Sequence, residues 1–310
     1  LYIDGYVAGA KSANPDIQVN VSYTGSFGDT ALAAEAANTH IAAGADVLTG
    51  SAQQVVGAIG VAKEQGVLWM GTQSDQSSLA PDIVVASQLY DWDGILTDMI
   101  KRNQAGEYGG VAYALTLANG GLVMKFADGL DATAVAAANE ASAQIVAGSL
   151  DAMAAAEAAM PAEEPAAEEA DMMEYPEIEP VRIALVMPST TTDLAWSQSI
   201  YDSLVQLQEH YGADVIEIAY TENMFNVTDA AAAIRDYADS GYNLILAHGA
   251  QYGTSLFEIA PDFPETSFAW GTTTNFGADE GVTNVFAYDP RLEQGGYVLG
   301  VLAANITESG

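Results

Sequence analysis

The chain of 310 residues is long enough for two domains of ordinary size, and its 8 basic against 42 acidic residues give a formal net charge of −34. This balance excludes nucleic acid and anionic membrane surfaces as partners, because no basic patch is available to neutralise phosphates. Since the chain has no cysteine, disulfides, thiolate metal sites and cysteine nucleophiles are excluded as well.

Helices and strands are predicted to alternate through residues 1–150. Helical spacing covers residues 1–13, and alternating apolar side chains predict a strand over residues 17–25. Asp29 or Ser26 can cap the next helix. Further strands are predicted at 45–50, 67–75 (with its loop), 81–92 and 109–118, with helices between them and a last helix from about 131 to 147. This alternation is typical of βαβ units that form a parallel sheet.

Residues 151–180 are predicted to form a linker. They consist almost entirely of Ala, Glu, Pro and Met, carry no Lys or Arg, and show neither the helical nor the strand period. Such a segment cannot bury enough apolar surface to offset its loss of conformational entropy. The prolines at 161 and 165 stop any continuation of the preceding helix. The linker separates the halves 1–150 and 181–310.

Residues 181–310 repeat the alternation, from the apolar strand VRIALVMP to a final helix over 291–310. Asp193 or a neighbouring threonine can cap the first helix of this half. Neither half contains a GxGxxG turn or a GxxxxGK[ST] loop. The sequence therefore does not support nucleotide-phosphate binding of the Rossmann or P-loop kind.

The loops at the carboxyl ends of the strands are the candidate binding site, because ligands of open α/β sheets bind there. They are rich in Ser, Thr, Gln, Asn and Gly, and most contain an aromatic residue. A single loop of this kind is polar simply because it meets water. The same mixture in six loops favours a small neutral planar ligand, stacked on flat side chains and bound at its edge by amides and hydroxyls. The candidate residues are Ser51, Gln53, Gln73, Asp75, Tyr90, Trp92, Asp193, Trp196, Gln251, Tyr252, Thr273 and Asn275.

A catalytic role has less support. His248 lies at a strand end, but without a nucleophile motif or a metal-spaced partner it is more typical of a structural or ligand-contacting histidine. Four aspartates also follow strands: Asp29, Asp75, Asp91 and Asp193. They are consistent with a metal or acid–base cluster, and equally with helix caps and loop braces, which are the commoner use. The sequence predicts no catalytic residue, metal or cofactor.

Segments of both halves carry motifs of a known family. The second half contains VRIALVMPSTTTDLAWSQSIYDSL, DYADSGYNLILAHG and EQGGYVLGVLAA, and the first half contains DGYVAGAKSANPDIQVNVSYTGSFGD, GTQSDQSSLAPDIVVAS and GGVAYALTLANGGL. Together they resemble the basic-membrane-protein family, the extracytoplasmic substrate-binding components of ABC importers that include purine nucleoside receptors. The resemblance covers nearly everything except the linker, and GYVAGAKSANPD and EQGGYVLGVLAA are its most specific motifs.

The resemblance implies an α/β, type I periplasmic-binding-protein fold, in which two Rossmann-like lobes with parallel sheets hold the ligand between them. The halves stand in inverted order. Residues 1–150 resemble the closing half of the family (mostly the second lobe plus the hinge return), and residues 181–310 resemble its opening half (mostly the first lobe).

This order is interpreted as a circular permutation or as a fragment of a tandem fusion, with the linker resembling the tether of a lipidated receptor. In the family pattern the first strand of the second lobe lies between positions 310 and 1. One lobe is therefore expected to have an unfilled sheet position.

Individual site residues follow from the same resemblance. The family's acidic-then-aromatic motif falls on Asp193 and Trp196, and the aromatic residue is expected to stack on a purine. Nucleoside receptors resemble GVDSDQ where this chain has GTQSDQ, so that Gln73 stands in place of an acidic ribose partner. Tyr90 stands in place of a lysine. Because both charged sugar partners are replaced, the resemblance implies that a free purine-like base binds in preference to its nucleoside.

The implied function is that of a non-enzymatic, extracytoplasmic solute-binding component that closes on its ligand and presents the closed form to the permease of an ABC importer. The resemblance also implies a lipid anchor supplied by a part outside this chain. Two alternatives remain open at this point: a ligand-sensing ectodomain without transport, and a hydrolase that uses the strand-end aspartates.

Overall fold

A computed structural model of the protein describes residues 1–157 and 175–309. The helices are α1 (Tyr2–Ala13), α2 (Thr30–Ala42), α3 (Val55–Gln65), α4 (Asp93–Gln104), α5 (Ala132–Val146), α6 (Ala152–Glu157), α7 (Trp196–Tyr211), α8 (Val227–Asp239), α9 (Gly253–Ile259) and α10 (Leu292–Ile306). The strands are β1 (Val47–Thr49), β2 (Leu68–Gln73), β3 (Val84–Tyr90), β4 (Ala112–Leu115), β5 (Leu122–Phe126), β6 (Val181–Val186), β7 (Ile216–Thr221), β8 (Leu244–Ala247), β9 (Ser267–Gly271) and β10 (Val285–Pro290).

The strands form two sheets, each of which is the centre of one lobe. The small-lobe sheet has the order β1-β2-β3-β5, and the large-lobe sheet has the order β4-β10-β9-β8-β6-β7. Every pairing is parallel except that of β3 with β5. Apolar helix faces cover both sides of the large sheet, where β6 and β8 are buried. The predicted two-lobed α/β architecture with parallel sheets is confirmed.

Within the described ranges 1–157 and 175–309, the chain crosses directly between the lobes at three places. It crosses from β3 to α4, from β4 to β5, and from β10 to α10. As a result β4, from the first half of the sequence, pairs with β10 at the edge of the large sheet. In return α10, from the second half, packs in the core of the small lobe with α1 and α5. Three short crossings between two lobes are the arrangement that permits hinge motion.

The contact between α1 and α10 depends on glycines in both helices. An added Cβ at Gly9 would lie 2.0 Å from the carbonyl oxygen of Tyr297, and one at Gly300 would lie 2.1 Å from that of Tyr6. Gly5 and Gly296 are equally close to the opposite backbone. These glycines belong to GYVAGA and GGYVLG, so the two most specific motifs of the sequence pack directly against each other.

Several predicted helix starts are confirmed in detail. The carboxylate of Asp29 accepts hydrogen bonds from the backbone N–H groups of Ala31 and Leu32, which caps α2. Asp131 caps α5 in the same way. The helix that is predicted between the strands at 81–92 and 109–118 corresponds to α4.

Two strand predictions need correction. Residues 17–25 do not form a strand, although they alternate as expected. Within the described residues β1 pairs with β2 alone, so this segment has no neighbour to pair with, and the expected open sheet position is present. Conversely β5 was not predicted, because its alternation is short and follows a turn. It pairs antiparallel with β3.

Residues 158–174 of the predicted linker lie outside the described residues, but both flanks belong to the fold. Ala152 in α6 is buried in the core of the small lobe. On the other flank, the Tyr175 ring stacks on His210 with centroids 4.2 Å apart, and its hydroxyl donates to Asp93 at 2.7 Å. None of the helices in the described ranges has the length and apolar composition required to cross a membrane.

Candidate ligand-binding cleft

Five ring side chains meet where the two lobes approach each other. Tyr90 and Trp92 lie at the crossing from β3 to α4, Trp196 begins α7, His248 follows β8, and Tyr288 lies on β10. The Trp92 ring is the hub of the cluster, with centroids 5.4–5.6 Å from the other four rings and interplanar angles of 75–89°. Such edge-to-face contacts stabilise a pair by about 0.5–1.5 kcal/mol beyond the buried area.

Trp92 is held in this position by polar contacts as well as by packing. Its side chain is completely buried. The indole Nε1 donates to the Ser199 hydroxyl at 3.0 Å, and the backbone N–H donates to the hydroxyl of Ser203 at 3.2 Å. Both serines belong to α7 of the large lobe. Trp92 therefore fixes the β3–α4 crossing against the large lobe.

The His248 ring packs face to face against the Trp196 ring. The two rings stack with centroids 4.1 Å apart and an interplanar angle of 7°. His248 Nε2 lies 2.9 Å from the carbonyl oxygen of Trp196, and Nδ1 lies 2.8 Å from the Tyr288 hydroxyl. Because a carbonyl oxygen only accepts, Nε2 carries the proton and Nδ1 accepts from Tyr288. Burial lowers the pKa of His248 to about 3, so the ring is neutral at neutral pH.

Asp193 shapes the start of α7. Its carboxylate accepts hydrogen bonds from the backbone N–H groups of Ala195, Ser197 and Gln198. Burial raises the pKa of Asp193, and these hydrogen bonds offset part of the increase. This is the cap that the sequence predicts, and its carboxylate is directed at the helix backbone. Asp193 thus positions Trp196 at the first turn.

The lobes contact each other through the loop that precedes Trp196. The Ser74 hydroxyl donates to the carbonyl oxygen of Ala195 at 3.0 Å, and Gln76 Nε2 donates to that of Leu194 at 3.2 Å. Leu194 has a φ of 52°, in the left-handed region that is unfavourable for leucine. Such strain costs about 1–3 kcal/mol and is retained mainly at functional sites.

Buried polar atoms without partners mark the small-lobe side of the cleft. Within residues 1–157 and 175–309 both amide atoms of Gln88 find no hydrogen-bond partner, and Gln73 Oε1 and the Tyr90 hydroxyl have at most each other. Gln73 also has a φ of 75°. Burial raises the pKa of Tyr90, the nearby Gln73 amide lowers it, and Asp289 raises it further. The hydroxyl therefore stays protonated, and a ligand with polar edges would relieve a desolvation cost of about 1–3 kcal/mol per atom.

Of the remaining candidates of the large lobe, Thr273 is joined to the ring cluster, since its backbone N–H donates to the carbonyl oxygen of Tyr288 at 3.3 Å. Gln251 Nε2 is buried without a partner in the described part of the chain. The hydroxyl of Thr273 accepts from the backbone N–H of Asn275, and Asn275 Oδ1 accepts from that of Gly277, which forms a local turn. Tyr252 is placed differently from the prediction. It is a core residue whose hydroxyl donates to the carbonyl oxygen of Met224 at 2.7 Å.

The remaining candidates of the small lobe also have local roles. Asp75 pairs with Lys125 and accepts from the backbone of Ser77. Burial raises the pKa of Asp75, but these two contacts outweigh burial and the net pKa is lowered. Ser51 and Gln53 are half-buried after β1, and Ser51 lines a groove at the open edge of the sheet.

Sequence reasoning missed four residues that the structure places at the cleft. Ser74 and Gln76 flank the chosen Asp75, and only the approach of α7 shows that they are the ones that reach the other lobe. Gln88 and Tyr288 lie inside strands and are completely buried. A polar residue within a buried strand was the available signal for these two residues. The alternation of side chains along a strand does not show which strand faces the other lobe.

Two α/β lobes that are joined by short crossings and meet at a cluster of buried rings define a two-lobed binding protein with the type I periplasmic-binding-protein fold. Residues 1–150 and 180–310 match the Bmp family, described as ABC transporter substrate-binding protein PnrA-like. The chain belongs to this family.

Several curated proteins share sequence with the chain. Basic membrane protein D of Borreliella burgdorferi is 36% identical over 104 residues, which are 33% of this chain and 30% of that protein. A purine-binding protein of Brucella abortus is 27% identical over 132 residues, 43% of this chain and 36% of its own length. The transcriptional activator protein med of Bacillus subtilis is 30% identical over 87 residues, 28% of this chain and 26% of that protein. The chain thus spans only about a quarter to a third of the curated relatives it matches.

A solved structure resembles the fold over nearly the full chain. The periplasmic sugar-binding protein of an ABC sugar transporter from Legionella pneumophila aligns with 99% of this chain and 91% of its own, with a TM-score of 0.50 and 11% identity. At this identity the likeness concerns the fold alone.

Proposed function

We propose that the protein is the extracytoplasmic solute-binding component of an ABC importer and that it binds a neutral, planar, purine-like base between its lobes. The observation that carries this proposal is the combination of stacked rings with buried, unpartnered amide and hydroxyl groups at one cleft. Flat rings bind the faces of a heterocycle, while amides offer donors and acceptors to its edge. The partner is then the permease, which binds the closed form.

The side chains next to the ring cluster favour a base over a nucleoside. Trp92 and Tyr90 occupy the side of the cleft next to Gln73, and their rings are 5.5 Å apart. The resemblance assigns charged ribose partners to the positions of Gln73 and Tyr90. Neither side chain carries a charge here, because the Tyr90 hydroxyl stays protonated. A ribose would therefore meet aromatic rings and neutral groups instead of its usual charged partners.

The Trp196→Ala variant is expected to bind the base about 30-fold more weakly, which corresponds to about 2 kcal/mol for the loss of a stacked anchor. Trp196→Phe keeps a flat ring and is expected to stay within a few-fold of the wild type. Titration calorimetry with adenine, guanine and hypoxanthine measures both. Trp270→Phe is the matched control, since Trp270 lies in the large lobe outside the ring cluster. Equal affinities of the alanine variant and the wild type would contradict the stacking role.

The free base is expected to bind about tenfold or more tightly than its nucleoside, because each missing charged partner leaves a ribose hydroxyl with a cost of about 1–3 kcal/mol. The double variant Gln73→Asp, Tyr90→Lys restores a charge pair and should reverse this preference. Calorimetry with matched pairs, such as adenine and adenosine, decides the point. Tighter binding of nucleosides by the wild type would refute the proposal about Gln73 and Tyr90, and no binding of either would refute the purine proposal.

A hydrolase is the second candidate, and the geometry gives it little support. The strand-end carboxylates have separate structural tasks: Asp29 and Asp193 cap helices, Asp75 pairs with Lys125, and Asp91 accepts from the backbone of Asp93. In the described ranges no group of three or more His, Asp or Glu side chains is placed to hold a metal ion. We therefore propose no turnover. Hydrolysis of a purine nucleoside that is lost in Asp193→Ala would overturn this view.

A further inference from the structure

Two hydrogen bonds join the lobes at a place that is not a chain crossing. The Ser74 hydroxyl and Gln76 Nε2 donate to the carbonyl oxygens of Ala195 and Leu194, at 3.0 and 3.2 Å. Both donors lie between β2 and β3 of the small lobe, and both acceptors lie between β6 and α7 of the large lobe. Because hinge motion pivots at the crossings, contacts elsewhere between the lobes have to break when the lobes separate.

The amide of Gln76 is oriented by contacts within the small lobe. Its Oε1 accepts a hydrogen bond from the indole Nε1 of Trp69 at 2.8 Å. Since an indole N–H only donates, this bond determines which end of the amide is the oxygen. Nε2 therefore points the other way, where it donates to the carbonyl oxygens of Thr72, at 3.1 Å, and of Leu194. Gln76 is completely buried, so its donor reaches the large lobe with little further loss of side-chain freedom.

The loop that carries both donors is anchored to the sheet of the small lobe. Asp75, which lies between the two donors, pairs with Lys125 on β5. The backbone N–H of Ser74 donates to the carbonyl oxygen of Thr72, on β2, at 2.9 Å. Donors that are anchored in this way move with their own lobe. When the lobes separate, they therefore move away from the start of α7 and cannot follow it.

The two acceptors belong to the turn that precedes Trp196. Leu194 has the left-handed φ of 52°, and its carbonyl oxygen is the acceptor for Gln76. The carbonyl oxygen of Ala195 accepts both from Ser74 and from the backbone N–H of Ser199, in the first turn of α7. The small lobe is thus bonded to the two residues that come directly before the proposed stacking residue. Separation of the lobes and release of this turn are therefore coupled.

We propose that Ser74 and Gln76 form a latch that holds the closed lobes together and so sets how fast a ligand leaves the cleft. The role rests on the proposed function, since the ligand leaves the same cleft. A ligand enters while the lobes are apart and both bonds are absent, so the latch does not change the association rate. It slows dissociation, because both bonds have to break before the cleft opens.

Stopped-flow measurement of adenine release from the full chain tests the latch. Ser74→Ala and Gln76→Met are each expected to release adenine about three- to tenfold faster than the wild type, the effect of one net hydrogen bond, at an association rate within about twofold. Ser74→Thr keeps the hydroxyl and should restore slow release. Ser78→Ala is the matched control, since Ser78 is exposed in the same loop. Gln76→Met also removes the acceptor of Trp69, so Ser74→Ala, which leaves that bond in place, is the decisive variant.

A distance measurement without ligand separates the latch from the choice of ligand. Because the chain has no cysteine, Glu64→Cys and Asp236→Cys create two unique labelling sites at exposed positions of α3 and α8, one in each lobe. Pulsed electron paramagnetic resonance on attached spin labels should give longer distances in both latch variants than in the wild type and the control. Longer distances without any binding of adenine would support the latch and refute the purine proposal. Wild-type distances in both variants, without faster release of adenine, would overturn the latch.

Discussion

The Gly300→Leu variant is expected to lose about 3 kcal/mol or more of the free energy of unfolding. A Cβ at this position would lie 2.1 Å from the carbonyl oxygen of Tyr6 and 2.7 Å from the amide nitrogen of Ala10. Both are backbone atoms, so no side-chain rotation relieves the clash and the two helices must separate. Urea denaturation of the variant and the wild type measures the loss.

Gly60→Leu is the matched control for this substitution. Gly60 also lies within a helix, α3, but an added Cβ there meets no atom within 4 Å. Leucine has the higher helix propensity, so the control is expected to change stability by less than about 1 kcal/mol in either direction. Similar losses in both variants would contradict the close approach of α1 and α10.

The same contact is expected to hold the two halves of the sequence together. After cleavage at a protease site introduced within residues 158–174, the wild-type halves should elute as one species, since β4 pairs with β10 and α1 packs on α10. In Gly300→Leu the fragments should separate at a lower urea concentration. Separation of the wild-type fragments in native buffer would contradict a shared two-lobed fold.

The second large effect is a pH dependence that depends on His248. Burial holds its folded pKa at about 3, well below the unfolded value of about 6.5. A lowered histidine pKa means that the unfolded state binds the proton better between these values. The stabilisation is therefore fully present above pH of about 6.5 and is lost as the pH falls toward about 3. We expect His248 to contribute a loss of about 3 kcal/mol between pH 7 and pH 4, at about 1.4 kcal/mol per pH unit.

Buried carboxyl groups act in the opposite direction, so the test compares two proteins. The pKa values of Asp91, Asp93 and Asp193 are raised by burial, and such groups stabilise the fold as the pH falls. The free energy of unfolding of His248→Asn should therefore depend less steeply on pH than that of the wild type, although it is lower at pH 7. His40→Asn, in α2 of the small lobe, serves as the control substitution. Parallel curves for His248→Asn and the wild type would refute the role of His248.

Local sequence determined most of the elements and several of their ends. The alternation of apolar residues and the capping aspartates are short-range signals, and Asp29, Asp131 and Asp193 cap the helices that follow them. The strand-end loops also indicated the side of each sheet where we propose that a ligand binds. Tyr90, Trp92 and Trp196 do meet there, because the carboxyl ends of parallel strands lie at one edge.

Only the tertiary structure determined which of these helices and strands contact each other. The segments IEIAYT and VNVSYT have the same local preference, yet only the first, β7, is a strand, because β6 supplies its hydrogen-bonding neighbour. Likewise GYVAGA and GGYVLG were recognisable as motifs in the sequence. Only the packing of α1 against α10, from opposite ends of the chain, shows that their glycines allow the two helix backbones to approach closely. Strand pairing and helix contact are made between residues far apart in sequence, so local pattern cannot determine them.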